Sequence, residues 1–188
     1  MTAQLRGWTP LIALQIEYSL LERTVESELV PMARALGLGV TPWGPLRGGA
    51  LSGKYTRENA SRQRADRGER VTAYLNERTF TIVDELRRIS QELETSPAAV
   101  ALAWVRSRPG VSSIIIGARR LDQLDQNVAS LDVVLTEHQI ATLNRLSEPP
   151  VVFPTAFQRT AGSIMHAGAT VNSEPSQLLP NWRDPKRY

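Results

Sequence analysis

The residues best placed to do chemistry lie in SSIIIGARRLDQLDQNV, residues 112–128. A short apolar run (Ile114, Ile115, Ile116) meets a turn at Gly117 and Ala118, and the chain then takes up an amphipathic helical pattern. Leu121, Leu124, Val128 and Leu131 recur at helical spacing and are expected to form the buried face. Arg119, Arg120, Gln123, Gln126 and Asn127 take the other face. A strand that feeds a helix through a small-residue turn aims the unbonded N–H groups of the helix start at one point. Phosphate suits such a point, and Arg119 is placed to add a bidentate charged contact. The side-chain amides one to two turns on are in position to read a base edge. The alternative is scaffold, with Gly117 serving only to relieve a tight turn.

A second group lies around Trp43 and the loop GPLRGGALSGKY that follows it. A tryptophan that ends a strand can stack on a flat ring; the alternative is an ordinary core tryptophan. Gly44, Pro45, Leu46, Gly48 and Gly49 would let backbone approach a ligand closely, and Lys54 offers a point charge suited to a diphosphate. Gln15, near the end of an earlier apolar stretch, carries a carboxamide that can pair with another amide or simply be satisfied in the core.

The elements that must position these groups follow a repeated strand-then-helix theme. Residues 11–17 and 38–43 read as short buried strands and 112–116 as a third. Thr24 or Ser27 is expected to cap a helix with a Leu29, Met32, Ala33, Leu36 stripe, ended by Gly37 and Gly39. A longer helical pattern carries Leu75, Phe80, Ile82, Val83, Leu86 and Ile89. Another helix opens at Ser96-Pro97, carries Val100, Ala101, Trp104 and Val105, and stops near Pro109. Thr136-Glu137-His138-Gln139 is a capping-box pattern for a last helix, with Ile140, Leu143 and Leu146 inward. Strands alternating with helices imply an α/β fold with a parallel sheet, whose ligands sit at the strands' C-terminal ends. Residues 1–150 form this part; residues 151–188 are Pro-, Ser-, Asn- and Gly-rich and are expected to be a largely irregular tail.

Composition narrows the partners. With no cysteine, a disulfide framework and thiolate metal sites are excluded, and no metal site is expected. Net charge is +3, but the basic stretch containing Arg57, Arg62, Arg64, Arg67 and Arg70 is interleaved with Glu58, Asp66 and Glu69. A nucleic-acid face would be more one-signed, so a loop closing over a small anionic ligand is the expectation instead. No apolar run approaches the roughly 18 residues of a membrane span, and the N-terminus does not read as a signal peptide; a cytoplasmic protein is expected.

Taken in order, LQIEYSLLER, GVTPWGPLRGGALSGKY and SIIIGARRLDQLDQNV resemble the C-terminal part of an aldo-keto reductase, over residues 7–148. The likeness is to the long-chain bacterial and potassium-channel β-subunit branch. The resemblance implies part of a TIM (β/α)8 barrel, about three C-terminal βα units with extra helices, binding NADP(H) in an extended form. Carried over by position, Gln15 would hold the nicotinamide carboxamide and Trp43 would stack on its ring. Gly44, Pro45, Leu46, Gly48, Gly49 and Lys54 would lie along the diphosphate, with Arg62 or Arg64 closing over it. Gly117, Ala118 and Arg119 would take the adenosine 2′-phosphate, and Gln123, Gln126 and Asn127 the adenine end. Gly44 stands where many relatives carry serine, and Ile116 where they often carry proline.

The family's chemistry uses a tyrosine acid with an aspartate, a lysine and a histidine from the first half of the barrel, and that half has no counterpart in the chain. Tyr18, Lys54, Lys186, His138 and His166 do not form such a set, so no catalytic residue is assigned. A (β/α)8 barrel also takes about 200–250 residues. The expectation is a truncated or half-barrel NADP(H)-binding chain of an aldehyde- or ketone-reducing oxidoreductase, acting on a small carbonyl substrate only once an N-terminal half completes it. Its open sheet edges could also support self-association. The alternatives are a nucleotide-binding or interaction module without catalysis, and a remnant.

Overall fold

The computed structural model describes residues 2–59, 69–151, 153, 154, 156, 157, 161, 165, 166, 168–171, 174 and 175. Two compact units are present, Met1–Pro149 and Pro150–Tyr188. The first is a mixed α/β arrangement. After a short helix α1 (Thr2–Leu5), strands β1 (Ala13–Glu17) and β2 (Gly39–Trp43) pair in parallel, with Ala13 opposite Gly39 and Glu17 opposite Trp43. Strand alternation divides their side chains by face. Ile16 and Val40 join the hydrophobic core with Leu14 packed against it, while Gln15 and Trp43 stay exposed on the other face.

The expected third strand is incomplete, and the cause is one proline. Val111 bridges Val40 in parallel, with the Val40 N–H bonded to Gly110 O at 2.9 Å and the Ser112 N–H to Val40 O at 2.9 Å. Pro42 has no N–H to donate at the next rung. The following bond comes from Ile115 to Pro42 O at 2.8 Å, one residue later than a regular parallel ladder requires. Residues 112–116 are therefore extended but slipped, and Ile115 and Ile116 are exposed rather than buried.

Helix α2 (Leu29–Ala35) connects the two strands and departs from its expected caps. Glu28 holds the N-cap position without a side-chain bond. Thr24 instead opens a 3₁₀ turn, Thr24–Glu26, and the Ser27 hydroxyl donates back to Thr24 O at 2.8 Å. Val30 and Ala33 face the core, whereas Leu29, Met32 and Leu36 are exposed and no described residue buries them.

After α3 (Glu69–Thr72), the helices behind the sheet follow their sequence signals closely. Asn76 caps α4 (Glu77–Glu92) by accepting the Thr79 N–H, and Ile82, Val83, Leu86 and Ile89 are buried. Ser96 caps α5 (Pro97–Arg106), whose Pro97 sits where no N–H is needed. Every residue from Ala98 to Val105 is buried, so α5 is the central helix of the unit. Thr136 and Gln139 form a complete capping box on α7 (Glu137–Leu146). In the second unit, β3 (Thr170–Val171) pairs antiparallel with β4 (Glu174–Pro175), a pairing the irregular-tail expectation leaves out.

A polar cluster joins the end of β1 to these helices. The Glu26 carboxylate accepts from Arg23 through both of its oxygens at 2.9 Å and from the Tyr18 hydroxyl at 2.6 Å. Arg23 also donates to Asn144 O at 2.7 Å and to the Ser147 hydroxyl at 2.8 Å. The Trp104 indole donates to Asn144 Oδ1 at 3.0 Å, with Arg23 and Arg108 guanidinium groups 5.3 and 5.0 Å from its ring centre.

Candidate functional site

A cavity of about 800 Å³ opens beyond the C-terminal ends of the strands. Its walls come from the loop after β2, the start of α5, and the turn that leads into α6 (Leu121–Val128). The loop contributes Gly44, Pro45, Leu46, Gly48, Gly49 and Lys54; the turn and α6 contribute Gly117, Ala118, Arg119, Gln123, Gln126 and Asn127. Two motifs separated by more than sixty residues of sequence thus share one concave surface. Gln15 and Trp43 do not line it. Both lie on the exposed face of the sheet, and among the described residues the buried tryptophan is Trp104. Arg62 and Arg64 lie outside the described residues.

The glycines serve different ends. Gly53, at φ +79°, has no room for a side chain, because a Cβ there would stand 2.7 Å from Pro97 Cγ. That close approach packs the loop onto the first turn of α5 and brings Pro97 and Ala98 into the wall. Gly117 is the opposite case. No atom lies within 4 Å of the Cβ it lacks, and its φ is not left-handed. It leaves backbone bare to the cavity, rather than relieving a tight turn.

The electrostatics single out two cations. Arg120, the N-cap of α6, is spent on Asp122, donating to both carboxylate oxygens at 2.9 and 2.7 Å. Arg120 thereby holds the Asp122 carboxyl below its usual range, with smaller help from the Gln123 and Asp122 backbone N–H groups. The Arg119 N–H is bonded to Gln123 Oε1 at 3.1 Å. The start of α6 is therefore less open to an anion than expected. Gln123 stiffens the turn with its carbonyl and keeps its NH2 free of any described partner. The Arg119 guanidinium and the Lys54 ammonium have no carboxylate partner among the described residues.

Helix α6 is turned the other way from its expected orientation. Leu121, Leu124, Val128 and Leu131 are 72%, 40%, 49% and 60% exposed, whereas Asn127 is 6% and Ser130 6% exposed. The polar face looks inward because it lines the cavity, and no described residue covers the apolar stripe. Sequence reasoning also missed Ser52, Gly53, Tyr55, Pro97 and Ala98 as lining residues. The first three lie inside the loop already singled out. A helix cap that follows directly on an amphipathic helix, as Ser96-Pro97 does, was the available signal for the other two.

Tyr18 is turned away from this site. It is 1% exposed, packs edge-on to Trp104 with ring centres 6.0 Å apart, and its hydroxyl donates to Glu26 and accepts from Arg108 Nε at 3.2 Å. Burial, reinforced by the Glu26 carboxylate, pushes its ionisation far above the ordinary tyrosine value. Among the described residues no cluster of His, Asp and Glu could hold a metal ion, and no helix is long and apolar enough to cross a membrane.

An α/β unit with its concave site beyond the ends of parallel strands is the class this geometry defines. Residues 1–148 match the aldo/keto reductase family, and the chain belongs to that family. It is 36% identical over 148 residues to the uncharacterized oxidoreductase YrpG of Bacillus subtilis (strain 168), covering 79% of this chain and 44% of that protein. A probable voltage-gated potassium channel subunit beta of Oryza sativa subsp. japonica is 40% identical over 128 residues, 64% of this chain and 38% of the relative. The versiconal hemiacetal acetate reductase of Aspergillus parasiticus is 31% identical over 150 residues, 79% and 43% of the respective chains. The chain spans less than half the length of these three relatives.

Proposed function

We propose that this chain is the NADP(H)-binding portion of an aldo-keto reductase-type oxidoreductase that reduces aldehydes or ketones. One observation carries the reading: the glycine loop with Lys54 and the turn with Arg119 meet in a single cavity, and among the described residues these two cations on different walls have no carboxylate partner. A dinucleotide with a third phosphate needs that pattern, one positive group along the diphosphate and another at the adenosine end. The bare backbone at Gly117 and the nearly buried Asn127 amide fit the same ligand. The cofactor, when bound, supplies hydride to a carbonyl carbon.

The residues divide the work by position. Gly48 and Gly49 present backbone to the diphosphate, and Lys54 neutralises it. Arg119 takes the 2′-phosphate, while Gln126, Asn127 and the free NH2 of Gln123 meet the adenine. Gln15 and Trp43, on the exposed sheet face, hold and stack the nicotinamide. The proton donor lies elsewhere, because Tyr18 commits its hydroxyl to Glu26 and Arg108. Isolated, the chain therefore binds nucleotide without turning over a carbonyl. The slipped edge at residues 112–116 and the exposed stripes of α2 and α6 support a partial (β/α)8 barrel that an N-terminal half would complete.

Fluorescence titration with NADPH and with NADH tests the reading. NADPH is expected to bind more tightly by about tenfold, the worth of one exposed charged contact to phosphate. Equal affinities sink the Arg119 assignment, and no binding of either nucleotide sinks the reading as a whole. A carbonyl-reduction assay with and without a co-expressed N-terminal half from a relative tests the rest: turnover by the isolated chain overturns the non-catalytic part.

A further inference from the structure

We infer that Arg47, which does not line the cavity, is the positioning residue that holds the glycine loop in its ligand-ready shape; the inference rests on the nucleotide reading above. Its neighbours Leu46 and Gly48 both line the cavity, so Arg47 acts through backbone it shares with them. Arg47, Gly48 and Gly49 are three successive left-handed residues, at φ 48°, 64° and 100°. Glycine takes that conformation freely, but an arginine does so at a cost and stays only where its surroundings hold it.

Three separate segments do the holding. The guanidinium forms an ion pair with Glu17, at the C-terminal end of β1, and lies 3.8 Å from Glu22 in the turn that follows. It also stacks 4.3 Å from the ring centre of Tyr74, just ahead of α4. The contact with Glu17 is ionic rather than an aligned hydrogen bond, since Arg47 Nε and Nη1 make no directed bond. The carboxylate in turn lies against Gly44, where a Cβ would stand 3.3 Å from Glu17 Oε1. Within the loop, the Arg47 N–H bonds to Gly44 O at 2.9 Å and the Ala50 N–H to Arg47 O at 3.2 Å. One side chain thus ties the loop's tightest turn to β1, to the turn after β1 and to the approach to α4. Glu17, Glu22 and Tyr74, like Arg47, stand outside the cavity lining, whereas Gly48 and Gly49 are part of it.

Asparagine tolerates a left-handed backbone but cannot reach these partners, so Arg47→Asn removes the clamp with little new strain. In the full chain, Arg47→Asn is expected to weaken NADPH about tenfold while leaving adenosine 2′-monophosphate, which engages only the Arg119 end, unchanged. Amide exchange of residues 44–53 is expected to quicken in the ligand-free protein, and Arg47→Lys is expected to recover part of both effects. A general loss of structure would weaken the two ligands alike, and that result overturns the inference. So does unchanged NADPH affinity, or unchanged loop exchange, in Arg47→Asn. If the unaltered chain binds no NADPH, the nucleotide reading fails. The clamp then stands if loop exchange still quickens in Arg47→Asn, and falls if it does not.

Discussion

Replacing Glu26 by Gln is the most direct test of how the elements behind the site are held. Arg23, Tyr18 and Arg108 all converge on this carboxylate, and the Arg23 side chain is only 8% exposed. Removing one partner of a buried ion pair costs about 3–5 kcal/mol, because the other charge stays behind uncompensated. Arg23 keeps its bonds to Asn144 O and Ser147, and the Glu26 side chain is about a quarter exposed, so the lower end, about 3 kcal/mol, applies. With a urea dependence of about 2 kcal/mol per molar, the midpoint of unfolding should fall by about 1.5 M. Acid gives the same term an independent check. Burial pushes the Glu26 carboxyl up, but the hydrogen bonds from Arg23 and Tyr18 outweigh it and hold the carboxyl below its ordinary value of 4.5. A carboxyl depressed by folding contributes stability that is complete above the unfolded value and lost as pH falls through the folded one. The gap between the parent chain and Glu26→Gln should therefore be constant near neutrality and close as pH drops below about 4.5. Urea titrations followed by far-UV circular dichroism from pH 7 to pH 3 read both effects. A midpoint shift below about 0.3 M, or a gap that persists unchanged at pH 3, refutes the argument.

Arg119→Ala should lower NADPH affinity about tenfold and leave NADH affinity unaltered, as read by fluorescence titration. Gly53→Ala should lower the thermal midpoint by several degrees, since strain at φ +79° and a Cβ 2.7 Å from Pro97 Cγ together cost about 2 kcal/mol. Ser96→Ala should cost about 1 kcal/mol in urea unfolding, the usual worth of an N-cap. Burial raises the Tyr18 hydroxyl in the folded chain, so its stabilising share is complete below the ordinary value of 10 and is lost as pH rises beyond it. Tyr18→Phe should therefore unfold less steeply than the parent chain above that pH, by tyrosinate absorbance and circular dichroism.

The helices behind the sheet were legible because local signals and burial agree there. Ser96 and Thr136 cap the helices they were expected to open, and the apolar spacing of α4 matches its buried face, although its Asn76 cap was not read. The glycine loop was legible for another reason: Gly44, Gly48 and Gly53 sit at positive φ, which few other residues accept, so composition there reports conformation. The third strand was misread because the apolar run at 114–116 says nothing about its neighbour. The missing N–H of Pro42 on β2 decides whether the ladder can continue. The polar cluster around Glu26 was invisible in sequence: Tyr18 and Arg23 lie in LQIEYSLLER, but Arg108 and Asn144 are far away along the chain and sit in none of the three motifs. The clamp on Arg47 was hidden likewise: Glu17 and Glu22 lie in LQIEYSLLER and Arg47 in the glycine loop, but nothing in the sequence pairs the two motifs or brings Tyr74 to them.

The inverted faces of α2 and α6 follow one physical rule. An amphipathic stripe states which side of a helix water disfavours; it does not state what covers that side. On α5 the rule works, because α4, α6 and the turn at residues 129–131 pack against it and its whole length from Ala98 to Val105 is buried. On α6 and the 3₁₀ turn that follows it, Ala129–Leu131, the described neighbours lie on the polar side, so Asn127 and Ser130 are buried while Leu121 and Leu131 face outward. Leu29, Met32 and Leu36 on α2 show the same imbalance at the other strand connection. Among the described residues, β1 and residues 112–116 also leave the sheet edges without a further strand. Under the proposed partial-barrel reading, apolar helix faces and unpaired edges in one unit need the same cover, an added layer of strand and helix. The cavity does not share that need, because its loop, turn and helix start are already fixed by Gly53 against Pro97, Arg47 against Glu17, and Gln123 against the Arg119 N–H. Under the proposed reading, these contacts shape the nucleotide end of the site.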